Sequence, residues 1–283
     1  MRRALLVINP GREAAILAAQ ELSSALIAAN FELFTISDVE IASVKKVAVK
    51  DLPELEIVLV LGGDGTILRG AEISRQRNIP LLGINLGHVG FLAEVEKSTT
   101  QEIARSVIDK TFVIEPRIVL GYTVKRNGAD VAHGWALNEI SVERSGTTMV
   151  ELFLEIDGRP VSRWGCDGLI CATPTGSTAY AFSAGGPILW PQVDALVVLP
   201  IAAHALFSRP LVISPESQII VGIESMDAAI SADALRRFDL KAGDQVHIVK
   251  DASIIKLAHL KDTVFSDRLV AKFKLPVQGW RGE

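Results

Sequence analysis

The 283-residue sequence has few of the residues that mark specialised classes of protein. It contains only two cysteines, Cys166 and Cys171, which excludes a disulfide scaffold. Its most apolar stretch, 195–203, contains Pro200 and is far shorter than the roughly 20 residues of a membrane helix. The formal net charge is -4 and the sequence pI is about 5.8, so there is no basic field to attract nucleic acid or anionic lipid. We expect a cytoplasmic protein without a nucleic-acid or membrane partner.

Motifs for metal binding and for two common nucleotide folds are also missing. The five histidines are too scattered in sequence to form a ligand set by spacing, so the metal ligands stay unassigned. His204 is flanked in sequence by mostly apolar residues and is interpreted as a hydrogen-bonded core histidine. Cys166 and Cys171 are predicted to lie on opposite faces of one strand, which argues against a disulfide between them. Neither a P-loop nor a G-x-G-x-x-G after the first strand is present, which disfavours P-loop enzymes and Rossmann dehydrogenases.

Composition is otherwise typical of a folded protein, with 49% of residues in the AVILMFWYC set and 22% charged. The first third alternates strand-like and helix-like segments, which predicts an α/β, Rossmann-like domain with a parallel sheet covered by helices. The predicted strands are 3–8, 31–36, 57–61 and 80–85, the predicted helices are 12–29 and 67–77, and a glycine-rich loop is predicted at 86–92.

From about residue 116 the pattern changes to short β-rich runs, which predicts an all-β domain. Turn pairs separate these runs, among them Asn127-Gly128, Ser145-Gly146 and Asp157-Gly158. Further strands are expected at 219–223 and 246–249. We therefore predict domains at 1–115 and 116–260, with the segment 261–283 returning to pack on the first domain.

The pentapeptide Gly62-Gly63-Asp64-Gly65-Thr66 directly follows the most apolar predicted strand and precedes a helix. In open α/β sheets ligands bind at this position. Three glycines let main-chain N–H groups approach a phosphate, and Thr66 adds a hydroxyl. Asp64 would repel phosphates unless it takes a proton, binds a metal ion or meets a hydroxyl, and each of these implies phosphoryl chemistry. The alternative is a tight turn with an aspartate cap.

A second cluster, 166–187, runs from a strand into a turn rich in hydroxyl groups. Thr178, Tyr180 and Ser183 offer donors and acceptors suited to a base or a ribose. A hydroxyl-rich structural turn accounts for the same composition equally well.

Three further acidic or amide side chains are weaker candidates. Asn138-Glu139 begins an apparent strand, and its amide and carboxylate are suited to bind a diol. Taken alone, the pair is interpreted as structural. Asp233 is interpreted as either a ligand residue or a turn aspartate.

Taken together, these motifs resemble the NAD kinase family in their order and spacing. The resemblance extends from residue 3 to about 275, and the stretch 173–180 is its most specific signature. It implies transfer of the ATP γ-phosphoryl group to the 2′-hydroxyl of the adenosine ribose of NAD, giving NADP. It also implies a divalent cation, usually Mg²⁺, and leaves polyphosphate open as a second donor.

The resemblance implies roles for individual residues. Asp64 corresponds to the family's catalytic aspartate, and the phosphate loop comprises Gly62, Gly63, Gly65 and Thr66. The expected NAD-binding residues are Gly65, Phe91, Asn138, Glu139, Asp167, Thr178, Ala179, Tyr180, Ser183 and Asp233.

The resemblance also bears on assembly and on alternatives. In the family Asp167 can reach a ligand on a neighbouring subunit, so a homodimer or homotetramer is expected. This sequence has Asp233-Ala234 where the family usually has Asp-Gly. The rival functions are a lipid kinase that shares Gly-Gly-Asp-Gly, a dinucleotide sensor without turnover, and an oxidoreductase.

Overall fold

The computed structural model describes residues 1–85, 90–92, 99–225, 228–260 and 264–277. Most of the predicted loop at 86–92 and the start of the predicted C-terminal segment lie outside the described residues. The helices are α1 (Glu13–Ala28), α2 (Asp64–Arg77), α3 (Thr100–Asp109), α4 (Tyr180–Ser183) and α5 (Phe265–Phe273). The strands are β1 (Arg2–Ile8), β2 (Phe31–Thr35), β3 (Val44–Lys46), β4 (Ile57–Leu61), β5 (Leu81–Ile84), β6 (Val113–Arg126), β7 (Ala129–Ala136), β8 (Glu139–Arg144), β9 (Val150–Ile156), β10 (Arg159–Cys166), β11 (Gly168–Ala172), β12 (Leu196–Ile201), β13 (Leu211–Ile213), β14 (Ile219–Ile223), β15 (Ala228–Ala232), β16 (Arg236–Leu240) and β17 (Gln245–His259).

The chain divides into two compact units, which we call unit 1 (1–116 and 255–283) and unit 2 (117–254). No helix in the described part of the chain is long and apolar enough to span a membrane.

Unit 1 is an α/β layer structure built on parallel strands. Its strand order is β17, β5, β4, β1, β2, β3, and every pair in it is parallel. β4 lies near the centre of this order, and all five of its residues are buried. An uninterrupted Ile-Val-Leu-Val-Leu run suits such a strand because both of its faces are covered. The predicted α/β class is confirmed.

Unit 2 is built from two groups of strands around one apolar cluster. The six-stranded sheet has the order β13, β12, β11, β8, β15, β16 and is antiparallel throughout. The second group contains β10, β9, β14, β17, β6 and β7. Trp164 from one group and Leu169 from the other meet in the shared cluster. The all-β prediction for this part is confirmed.

Hairpin turns follow the predicted chemistry at two positions. Asn127 and Gly128 have φ of 52° and 81° between β6 and β7, and Asp157 and Gly158 have 53° and 72° between β9 and β10. Both pairs therefore have the two positive φ angles that a two-residue turn needs to match the strand twist.

Two expectations were wrong. Cys166 ends β10 and Cys171 lies in β11, so the two buried free thiols belong to different strands rather than to opposite faces of one. The chain turns at Asp167, whose N–H bonds Ile201 O at 2.9 Å. His204 is exposed rather than part of the core, and its main-chain N–H donates to Gly165 O.

The turn between β15 and β16 predicts a stabilising substitution. Asp233 and Ala234 both have φ of 53°, and Leu235 N–H donates to Ala232 O at 3.0 Å. Because an L-residue is strained in this region, Ala234→Gly should raise the free energy of unfolding by about 1 kcal/mol. Urea-induced unfolding measures the change. Ala129→Gly, at an exposed strand position, is the matched control and should lower the free energy of unfolding. If both variants lowered it equally, Ala234 would not be strained.

Candidate active site

The loop in unit 1 is positioned by the end of β4 and the start of α2. Gly62 N–H donates to Ile84 O at 3.0 Å, and the Gly63 carbonyl accepts the N–H groups of Thr66 and Ile67 at 2.8 and 3.1 Å. Gly63 thus caps the helix with its main chain, and α2 begins at Asp64. The predicted helix at 67–77 is therefore one turn longer, and Asp64 occupies its first turn.

Asp64 is placed where its carboxylate has few partners. Its Oδ1 is buried and accepts no hydrogen bond within the described residues, whereas the main-chain N–H of Leu92 bonds the carboxylate. Burial raises the pKa of Asp64, and the positive charge of Lys272 opposes that rise. An acceptor oxygen kept dry and unpaired is ready for a donor from a ligand.

Gly90 lies close to the Asp64 carboxylate and leaves no room there for a side chain. A Cβ on Gly90 would lie 2.6 Å from Asp64 Oδ1 and 3.4 Å from Asn85 Nδ2, so any larger residue would displace the carboxylate. Phe91 follows directly and is buried. No atom of the described residues lies within 4 Å of the position that a Cβ on Gly65 would take.

Arg12 is a residue that the sequence patterns missed. Its guanidinium Nη2 lies 3.6 Å from the position a Cβ on Gly63 would take, and it forms no hydrogen bond or ion pair with the described part of the chain. An unpaired cation beside the start of α2 adds to the positive end of the helix dipole. The signal available in the sequence was a lone Asn-Pro-Gly-Arg turn after β1, which is weak by itself.

In unit 2, the Asn138-Glu139 pair lies at the start of β8. Thr173 holds the preceding main chain, because its Oγ1 donates to Leu137 O at 2.6 Å and its N–H donates to Asn138 O at 2.9 Å. Gly176 packs so closely that a Cβ there would collide with the Asn138 carbonyl. Gly176 of the hydroxyl-rich turn thus allows close packing against Asn138.

Asp233 braces the same main chain. Its two carboxylate oxygens accept the N–H groups of Leu137 and Asn138 at 2.8 and 2.7 Å, and Arg236 Nη1 lies 3.7 Å away. With both oxygens engaged inside the protein, Asp233 acts as a positioning residue for Asn138 and Glu139. Burial raises its pKa, which these hydrogen bonds partly offset.

Glu139 is a buried carboxylate of unit 2 with a strongly raised pKa. Its side chain is buried, and Oε2 has no hydrogen-bond partner among the residues described. Burial, followed by the nearby charge of Asp233, raises its pKa to about 7, against a main-chain hydrogen bond from Tyr180. Like Asp64, Glu139 therefore has one buried acceptor oxygen that receives no hydrogen bond from the described residues.

Four other predicted ligand residues of unit 2 lie at more exposed positions, and the main-chain N–H of one of them, Tyr180, bonds Glu139. Tyr180 OH donates to Glu143 Oε2 at 3.0 Å, and desolvation raises the Tyr180 pKa to about 12. Thr178 Oγ1 donates to Thr175 O at 3.2 Å. Ala179 precedes α4 and Ser183, which is exposed, ends it.

Asp167 is tied to the protein surface. Its Oδ1 accepts a hydrogen bond from Arg144 Nε at 2.6 Å, and its side chain is 42% exposed. Among the described residues, no group of three or more His, Cys, Asp or Glu side chains is placed to hold a metal ion.

Buried Glu139 predicts an unusual pH dependence of stability. The unfolded carboxyl loses its proton near 4.5 and the folded one near 7, so between these values the folded state binds more protons and stability falls as pH rises. The fall should be on the order of 3 kcal/mol. Urea unfolding between pH 4.5 and 8 should show it in wild type and show it reduced in Glu139→Gln. Glu151→Gln, at an exposed position, is the control and should keep the wild-type pH dependence. If Glu139→Gln showed the same pH dependence of stability as wild type, Glu139 would not be its cause.

Models of one protein family match residues in both units of this chain. The ATP-NAD kinase N-terminal domain model matches residues 5–112, and the ATP-NAD kinase C-terminal domain model matches residues 137–260. An NAD kinase of Thermobifida fusca is 44% identical, with 99% of this chain and 92% of that protein covered. One of Corynebacterium diphtheriae is 51% identical over 81% of this chain and 73% of that protein.

Two solved structures have similar folds. Yeast NADH kinase complexed with NADH gives a TM-score of 0.88 at 23% identity, over 100% of this chain and 90% of that one. An NAD kinase from Archaeoglobus fulgidus in complex with ATP gives 0.73 at 27% identity, over 97% and 99%.

Proposed function

The chain belongs to the ATP-NAD kinase family, and we propose that it transfers the γ-phosphoryl group of ATP to the 2′-hydroxyl of the adenosine ribose of NAD, giving NADP. The observation that carries this proposal is the Oδ1 of Asp64 at the start of α2, which is buried and accepts no hydrogen bond from the described residues. Family membership over both units disfavours the lipid kinase and the oxidoreductase. A carboxylate held ready as an acceptor has no evident use in a sensor without turnover.

In the proposed reaction, Asp64 accepts the proton of the ribose 2′-hydroxyl or orients that group. The 2′-oxygen forms a bond to the γ-phosphorus as the bond from this phosphorus to the β,γ-bridging oxygen breaks, and ADP leaves with that electron pair. The raised pKa of Asp64 makes it a stronger base than an exposed carboxylate. Most of the remaining barrier reduction comes from alignment and from charge stabilisation.

Phosphate oxygens are proposed to bind at the glycine loop. The main-chain N–H groups at the very start of α2 and the positive end of its dipole favour an anion there. Gly62, Gly63, Gly65 and Thr66 form the loop, and Arg12 adds a full positive charge beside it.

NAD recognition is proposed to rest on the unit 2 residues. Glu139 Oε2 accepts an O–H group from the ribose or nicotinamide side, and Asn138 contributes its amide. On the adenine side we propose contacts from Thr178, Ala179, Tyr180 and Ser183. Gly65, Phe91 and Asp167 complete the proposed contacts, and Asp233 positions Asn138 and Glu139.

Some finer features also belong to the proposal. We expect ATP to bring a divalent cation, Mg²⁺, held mainly by phosphate oxygens, with polyphosphate as a further donor to test. We expect action in the cytoplasm as a homodimer or homotetramer. Exposed apolar side chains at Leu206 and Phe207 favour self-association, because burying them against a second copy would remove apolar surface from water.

Formation of NADP from NAD, ATP and Mg²⁺ by the purified protein tests the function. Asp64→Asn should lower kcat by roughly 10²–10⁴-fold with little change in the KM for NAD, because the lost interaction is made in the transition state. Asp38→Asn, which removes an exposed carboxylate of unit 1, is the control and should keep normal turnover. Near-normal kcat in Asp64→Asn would overturn the role of Asp64, and absence of NADP in wild type would overturn the function.

Arg12→Met tests the phosphate site. A hydrogen bond between charged partners is worth about 1.5–3 kcal/mol, so the KM for ATP should rise roughly tenfold to a hundredfold while the KM for NAD changes little. Steady-state kinetics with each substrate varied in turn measures both constants. Arg3→Met removes a surface ion pair with Glu32 from the same unit and should change neither. Equal effects of the two arginine variants would remove Arg12 from the site.

A further inference from the structure

Helix α5 lies beyond both stretches that match the family models, which end at residues 112 and 260. Most of its residues are exposed or half-buried, but Arg268 is only 5% exposed. A buried guanidinium is costly unless its N–H groups are paired. The partners of Arg268 therefore indicate what this helix does.

Arg268 joins two parts of unit 1. Nη1 donates to the main-chain oxygen of Phe91 at 3.0 Å, and Nη2 lies 3.0 Å from His259 Nδ1. Because a guanidinium has only donors, Nδ1 must accept, which places the ring hydrogen on Nε2. Nε2 then donates to Glu115 Oε2 at 3.1 Å. This chain of hydrogen bonds fixes the orientation of the guanidinium against Phe91.

The ring of Phe91 is held by the same helix. Its centroid lies 5.7 Å from that of Phe265 and 5.9 Å from that of Phe273, the first and last residues of α5. Tilted aromatic pairs at such distances are favourable. Main chain and side chain of Phe91 are therefore both fixed by α5.

The two residues that flank Phe91 both contact Asp64. Gly90 approaches Asp64 Oδ1 so closely that a Cβ would lie 2.6 Å from it, and the Leu92 N–H bonds the carboxylate. A displacement of Phe91 would therefore move the carboxylate as well. Lys272, also on α5, directs a positive charge toward Asp64.

We propose that Arg268 is a positioning residue for phosphoryl transfer, acting through the main chain of residues 90–92 to hold the Asp64 carboxylate in place. The inference rests on the proposed function in that Asp64 is the reacting carboxylate. Reactions of aligned groups are sensitive to shifts of about 1 Å, so the effect should appear in turnover rather than in substrate binding.

The first test compares Arg268→Met and Arg268→Lys with Arg2→Met. Arg2 also lies in unit 1 and donates to two main-chain oxygens, of Ile108 at 2.6 Å and Val107 at 2.8 Å, but it does not touch residues 90–92. Arg268→Met should lower kcat roughly 10- to 100-fold, with each KM within about threefold of wild type. Arg268→Lys should recover part of the loss, and Arg2→Met should lower stability while keeping kcat within about twofold of wild type.

The second test needs no activity. Hydrogen–deuterium exchange of the Leu92 amide should speed up in Arg268→Met and stay unchanged in Arg2→Met. Phe273→Leu, which keeps the buried guanidinium, should speed the same amide and lower kcat severalfold, so it carries the test if Arg268→Met fails to fold. Unchanged Leu92 exchange and unchanged kcat in a folded variant would overturn the proposal. If wild type makes no NADP, the proposed function fails while the exchange comparison still decides whether Arg268 holds this loop.

Discussion

Two carboxylate oxygens buried without a hydrogen-bond donor among the described residues, Asp64 Oδ1 and Glu139 Oε2, are the constraint on which the rest of the structure depends. Each is costly in the free protein, because a buried acceptor that gives up water and gains no donor loses free energy. Such atoms persist only if the scaffold prevents the carboxylate from turning toward water. In unit 1 the scaffold is the β4–α2 connection together with Gly90, and in unit 2 it is the bracing of residues 137 and 138 by Asp233 and Thr173. A ligand hydroxyl that donates to either oxygen removes that cost, so stability given up in the free protein becomes selectivity for a hydroxyl-bearing substrate.

Local chemistry was sufficient to predict much of the fold. The apolar run of β4 and the Asn-Gly and Asp-Gly turns depend on near neighbours, so sequence patterns identified them. The start of α2 was predicted one turn late, because glycines lower helix propensity and the cap is a main-chain carbonyl with no side-chain signature. Cys166 and Cys171 were assigned to one strand although the Asp167-Gly168 pair between them is itself a turn signal.

The candidate site divides in the same way. The glycine loop and the Asn138-Glu139 pair have recognisable local patterns, whereas Arg12, Gly90 and Arg268 gain their meaning only from contacts across the chain. Arg268 and Phe91 are 177 positions apart, and no periodicity connects them. Asp233 is the converse case: its residue type left both a ligand residue and a turn aspartate open, and in the structure its two oxygens accept main-chain N–H groups. A residue type can suggest chemistry without showing whether its atoms are free.

Unit 1 is assembled from two stretches of chain that are separated by the whole of unit 2. Domains tend to fold as the ribosome releases them, beginning with the N-terminal one. The strands and helices before residue 116 can collapse early, but α5 is released only after more than a hundred further residues have been made. The loop beside Asp64 therefore receives its aromatic and guanidinium contacts last. A nascent chain that has not yet released α5 therefore holds the parallel strands before residue 116 without the contacts that α5 makes to Phe91, so the order of synthesis makes the neighbourhood of Asp64 the last part of unit 1 to be completed.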